Sequence, residues 1–240
     1  RDNMTDVLPM NEPDMYRIKL DLNRMISSNI YLNKSIPVFS EDVEARFALE
    51  ILFDFLEKET EFFSRVRSRF HLVDGDIGAD NLRNLFKDSY LQQSTMSSIC
   101  ILDGDKGSNL RYNIVALPGQ KSPEEWLIEY ARELDKRDDD FWRDETILNR
   151  GYGKPTFKSE IDGKFNKIDE DLAIRKEEGD SIHSLRRRKY KSAFNEYQDF
   201  FRFVLLNWIN NPENSEELTR FCNEFHSMFL KVSEYHGIDK

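Results

Sequence analysis

Short unbroken apolar runs alternate with helical stretches over the first half of this chain, and the last quarter is helical throughout. Four runs stand out: Ile36-Pro-Val-Phe-Ser40, Phe70-His-Leu-Val-Asp74, Ser97-Ser-Ile-Cys-Ile-Leu102 and Tyr112-Asn-Ile-Val-Ala-Leu117. Ile, Cys, Ile and Leu in succession, without polar alternation, suit a strand covered on both faces of a parallel sheet. After the first run, Val43, Phe47, Ile51 and Phe55 recur at helical spacing with Leu52 and Leu56 beside them, and Ser40 is read as the N-cap. Asn81–Phe86 continues the second run as a helix. Ser122-Pro-Glu-Glu125 opens another, with Ser122 as cap, Pro123 in the first turn and Glu125 placed as in a capping box. Alternation of this length predicts an α/β fold: a parallel four-stranded sheet with helices on both faces.

Beyond Asp135 the pattern weakens. Up to Glu178 the chain is charged, carries Gly151, Gly153, Pro155 and Gly163, and shows no sustained apolar period, so short helices and loops are expected. Tyr190, Phe194, Tyr197, Phe201, Val204, Leu205 and Trp208 then form one stripe. Pro212-Glu-Asn-Ser215 ends it, and Leu218, Phe221, Cys222, Phe225, Phe229 and Val232 form a second. Such stripes pack, which predicts a helical hairpin folded against another surface. Residues 1–35 are polar, with one weakly apolar run, Met15–Leu22, open to reading as an edge strand or a helix start.

Composition narrows the function classes. With 39% apolar residues over 240 positions, the chain can bury a core, and 18 Phe and 9 Tyr make it aromatic. The net charge of −10 argues against a protein that coats nucleic acid by bulk electrostatics, but not against an enzyme touching a few phosphates. No apolar stretch is long enough for a membrane span and no signal peptide is present, which points to a cytoplasmic setting. Cys100 and Cys222 read as small buried hydrophobes, and His226 and His236 as packing or surface residues. Zinc spacing, a Walker loop and a Gly-x-Ser-x-Gly elbow are all lacking.

The candidate chemistry lies where the strands end. Asp103-Gly-Asp105 follows the third run directly, and ligands of open α/β sheets bind beyond the carboxyl ends of strands. Two carboxylates there form a hard oxygen site suited to Mg²⁺, although Asp-Gly is also an ordinary turn dipeptide. Asp74-Gly-Asp76 is a rival, with Gly78 and Asp80 feeding the next helix. Glu41, after the first strand, would approach Asp103 and Asp105 if both strands end on one edge. Glu41, Asp42, Glu44, Glu124 and Glu125 also have ordinary roles as first-turn acids.

The order glutamate after the first strand, Asp-x-Asp after the third, resembles the Toprim fold. Val38–Ala45, Ile101–Lys106, and Ile114–Gly119 with Ser122-Pro-Glu124 are most similar to the Toprim domain attached to ABC-type ATPases of the OLD (overcoming lysogenization defect) family. The resemblance covers residues 36–130, makes 1–35 a linker or exit from an upstream ATPase domain, and makes 131–240 a helical C-terminal extension. It implies a Mg²⁺- or Mn²⁺-dependent endonuclease hydrolysing DNA, the nuclease part of an ATPase-coupled anti-phage system, in a homo-oligomer or larger defence complex. Carried over, Glu41 is the metal-binding and general-base carboxylate, and Asp103 and Asp105 are metal ligands. Glu44 is a second-metal candidate, with Ala45 standing where many members place an acid. The basic residue against the transition state is Lys106, Arg186 or Lys189. Two rivals remain: an idle Toprim-like module binding an ATPase partner or nucleic acid, and a phosphatase with Asp103 as nucleophile, against which two earlier strands and Gly107 count.

Overall fold

In the computed structural model, residues 35–73, 77–88, 98–177 and 182–237 are described. The sheet grows outward from Ile36–Ser40 (β1), all five residues of which are buried. Phe70–Leu72 (β2) lies on one side of it, Ile99–Leu102 (β3) on the other, and Ile114–Ala116 (β4) beyond β3, all parallel. Proline is unusual in a central strand. Here the Val38 carbonyl faces β2, accepting from Val73 N–H, so the alternate position Pro37 faces β3. The β1–β3 ladder begins only at Val38 opposite Ile99, and the missing N–H therefore breaks no pair.

Val43–Glu59 (α1) and Glu61–Val66 (α2) connect β1 to β2, and Ala79–Lys87 (α3) lies between β2 and β3. These two crossovers step in opposite directions, so right-handed connections place α1–α2 and α3 on opposite faces. Pro123–Arg137 (α4) follows β4. The architecture is thus α/β, a four-stranded parallel sheet with flanking helices and a long helical remainder, as the alternating pattern predicts.

Three local expectations are corrected. The N-cap of α1 is Asp42, whose Oδ1 accepts from Ala45 N–H at 2.9 Å, because Ser40 is still in the strand opposite Ile101. Ser122 makes no side-chain cap bond, and Glu125 pairs with Arg186 at 2.7 Å instead of closing a capping box. After Glu145–Asn149 (α5), residues 154–177 are helical throughout, passing through a π-helical turn at Phe157–Asp162 into Gly163–Glu177 (α6). The period behind that helix is Phe157, Ile161, Phe165 and Leu172, all buried but separated by charged residues.

The first aromatic stripe also divides. His183–Glu196 (α7) and Gln198–Asn210 (α8) meet at Tyr197, and Phe194 stacks on Phe201 across the break with ring centroids 4.6 Å apart. Ser215–His236 (α9) does not simply fold back on α8. It lies against β1, β3 and β4, while α8 packs on α1 and α4. Phe225 of α9 meets Phe53, Phe63 and Phe70, at 4.9, 5.5 and 5.2 Å, and this cluster fuses α1, α2, β2 and α9. His226 packs on Phe62, and Cys100 and Cys222 are both free. Among the described residues no helix is long and apolar enough to cross a membrane.

Candidate metal centre

Strands β1 and β3 run side by side in register, Ser40 opposite Ile101, so the residues leaving their carboxyl ends emerge together. Glu41 and Asp103 are those residues, and the Asp103 backbone N–H points at Glu41 Oε2, 3.4 Å away. Asp42 joins them as it turns the chain into α1. One oxygen from each of Glu41, Asp42 and Asp103 lies within 4.8 Å of the others, and all three side chains are buried. Glu124, in the first turn of α4, is brought to the same place by a close backbone approach. Gly104 N–H donates to Lys121 O, and a Cβ on Gly104 would stand 2.7 Å from Gln120 N. Only glycine lets the two loops touch.

The carboxylates differ in what compensates them. Asp103 Oδ1 and both oxygens of Glu124 are buried without a hydrogen-bond partner among the described residues, an uncommon state for a polar group. Burial, then the charges of Glu41, Asp42 and Glu124, push the Asp103 carboxyl well above its ordinary range, with Lys191 opposing. Burial likewise pushes Glu124 up to about 7, against the pull of its own backbone N–H dipole and of Lys191. The cations come from one face of α7, where His183, Arg187, Lys191 and Asn195 recur every fourth residue. The Arg187 guanidinium donates to Glu41 Oε1, lies 3.4 Å from Asp42 Oδ2, and reaches 3.9 Å from Asp103 Oδ2. Lys191 Nζ donates to Asp42 and, at 3.0 Å, to Glu44, whose other oxygen accepts from Asn195 Nδ2 at 2.6 Å. These carboxylates hold Arg187 and Lys191 firmly protonated despite their burial.

A cavity of about 100 Å³ opens beside the cluster, lined by Asp103, Asp105, Lys106, Ser122, Glu124, His183 and Arg187, among others. The residues expected from sequence therefore divide. Glu41 and Asp103 are in the cluster. Asp105 lines the cavity but is half-exposed and pairs with Lys106 at 2.8 Å, and Asp42 stands third in the cluster. Glu44 is nearby and tied to α7. Of the basic candidates, Lys106 lines the cavity, Arg186 also lines it while pairing with Glu125, and Lys189 turns away to Asp171. Arg187 and Lys191 are the cations that reach the acids. Their signal in sequence was the four-residue spacing from His183, hidden within a dense basic block. Asp42 and Glu124 were both hidden because an acid in the first turn of a helix has an ordinary structural role. Asp74 and Asp76 lie outside the described residues.

Loops carrying the site are fastened from behind by α9. Glu217 accepts from Gly119 N–H at 2.7 Å and Arg220 donates to Leu117 O at 3.2 Å, while Lys231 donates to Asn113 Oδ1 at 2.8 Å at the other end of β4.

Glu124 gives a pH-dependent expectation. An unfolded glutamate titrates near 4.5, whereas folded Glu124 keeps its proton until about 7. Between those values the folded protein holds the extra proton, so stability falls as pH rises across that window and is level above it. Glu124→Gln removes this decline and stabilises the metal-free protein at pH 8 by an amount on the order of 2–3 kcal/mol. Thermal melts of both forms at pH 5 and pH 8 in EDTA check this, and equal pH slopes would refute it.

All-oxygen carboxylate donors suit Mg²⁺ or Mn²⁺. Glu41, Asp42 and Asp103 fit such an ion, since their oxygens converge within 4.8 Å and Asp103 Oδ1, like both oxygens of nearby Glu124, lacks the partner that protein alone would supply. Compared with known proteins, the chain matches no family model, no curated protein and no solved structure.

Proposed function

We propose that this chain is a Mg²⁺- or Mn²⁺-dependent phosphodiesterase of Toprim type acting on DNA. The observation supporting it is the convergence of Glu41, Asp42 and Asp103 at the ends of adjacent parallel strands, with Asp103 Oδ1 left unpartnered in the interior. A divalent ion there would supply Lewis-acid stabilisation of a phosphoryl oxygen and a more acidic bound water. Everything else is the chain's own work. Glu41, Asp42 and Asp103 would hold the ion. Lys106, Arg186 and Arg187 line the adjoining cavity, where they neutralise phosphate charge that an acidic protein would otherwise repel. Glu124, protonated up to about pH 7, is suited to exchange a proton in that cavity near neutral pH. In this reading the chain serves beside an ABC-type ATPase as the nuclease part of an anti-phage system, in a homo-oligomer or larger complex.

One observation favours the second reading, a non-catalytic module. Arg187 already compensates the cluster from within the chain. Supercoiled plasmid and single-stranded RNA, each incubated with Mg²⁺ or Mn²⁺, separate the two. The nuclease reading expects metal-dependent cutting of DNA that is lost in Glu41→Gln. Cutting that survives this variant places the site elsewhere, and no cutting by any form, with an ATPase partner and ATP included, supports the module.

A further inference from the structure

We propose that Arg187 and a divalent cation are alternative occupants of one carboxylate cluster, so that metal loading and withdrawal of this guanidinium are a single event. The inference rests on the metal-centre reading above. Nη2 of Arg187 faces Glu41, Asp42 and Asp103, the same three carboxylates whose oxygens converge within 4.8 Å. A hard cation binds carboxylate oxygens at about 2.0–2.6 Å, which places it against the guanidinium. Two positive centres a few ångströms apart in a buried site repel strongly, and both cannot stay.

The geometry also favours which of them leaves. Arg187 is 41% exposed and borders the cavity, so its head can swing outward without unfolding α7. Lys191 is only 21% exposed and is held between Asp42 and Glu44 at the edge of the cluster, so it is less free to swing away. Arg187 moreover leaves the cluster incompletely compensated. Asp103 Oδ1 is 1% exposed as part of its residue, has no partner, and points to a ligand the chain does not provide. Two consequences follow. The ion pair lowers the affinity for metal, because each binding event must break it. The freed guanidinium then stands in the cavity beside Lys106 and Arg186, ready for an anion, so metal and phosphate bind with positive coupling, each favouring the other by the same factor.

Calorimetric titration of the full chain with Mn²⁺ tests the competition. Arg187→Gln is expected to bind Mn²⁺ at least tenfold more tightly than wild type, and Asp103→Asn not to bind it. Equal or weaker affinity in Arg187→Gln overturns the competition while leaving the metal centre standing. Absence of Mn²⁺ binding in wild type and Arg187→Gln alike sinks the metal centre itself. Displacement is read directly in the unmodified protein by nitrogen NMR of the arginine side chains, which also covers the case of a variant that fails to fold. One guanidinium protected from exchange without metal is expected to lose that protection at saturating Mg²⁺. Protection that persists at saturation overturns the proposal.

Discussion

Asp103→Asn is expected to abolish metal-dependent cleavage and, in the same protein, to raise the thermal stability of the metal-free form. The two effects have one origin. Asp103 is buried, its Oδ1 has no partner, and burial together with Glu41, Asp42 and Glu124 raises its carboxyl well above the ordinary range. Asparagine keeps the shape, brings no charge and adds a donor facing acidic oxygens. Replacing an uncompensated buried charge by a neutral isostere is stabilising, here by about 1–2 kcal/mol. Sign follows from linkage. A raised carboxyl holds its proton in the fold above its unfolded value, so stability is lost as pH rises through the folded pKa. The gain in Asp103→Asn is therefore largest at alkaline pH and vanishes in acid. Cleavage loses one of three convergent ligands, and a fall on the order of a thousand-fold is expected, the scale of losing one group from a preorganised electrostatic site. Plasmid cleavage with Mn²⁺ and melting in EDTA at pH 8 make the pair of measurements. Retained cleavage removes Asp103 from the site, and a lowered melting temperature removes the argument that its charge is strained.

Phe225→Ala is the largest expected loss of stability. The ring is fully buried and touches Phe53, Phe63, Phe70 and Phe221, from α1, α2, β2 and α9 itself. Deleting it leaves a cavity among rings that cannot all move in to fill it, at a cost of about 3–5 kcal/mol. Because α9 also fastens Leu117 and Gly119, loosening it frees the loop at the carboxyl end of β4. Urea unfolding followed by fluorescence should show the midpoint falling sharply, with Phe225→Leu in between. A shift below 1 kcal/mol would show that α9 contributes little to the common core.

The sheet was legible because its strands are local objects. Ile36–Ser40 and Ile99–Leu102 are apolar runs bounded by polar turns, and burial on both faces leaves no alternation to confuse the reading. The helix over residues 154–177 was not, since its buried Phe157, Ile161 and Phe165 sit among charges that mask their four-residue period. Nor was the break at Tyr197, because the stripe runs on through it. Phe194 and Phe201 stack across the junction, and packing keeps the rings together where the helix does not continue. Of the site, Glu41 and Asp103 were legible from position alone, each being the residue after a strand.

By itself, then, the sequence determined the strand ends and the acids that leave them, because strand termination is written in residues adjacent along the chain. Which acids meet was decided only in three dimensions. The register of β1 against β3 gathers Glu41, Asp42 and Asp103, and Asp105 falls one turn too far out toward solvent. Tertiary structure likewise decided the counter-charge. Arg187 is 146 residues from Glu41, and nothing local to either distinguishes it from Arg186 or Lys189. Only the docking of α7, fixed by contacts such as Phe194 against Phe47, turns the His183–Arg187–Lys191 face onto the carboxylates. Charge pairing of this kind depends on distance in space, which apolar packing sets and the order of residues does not.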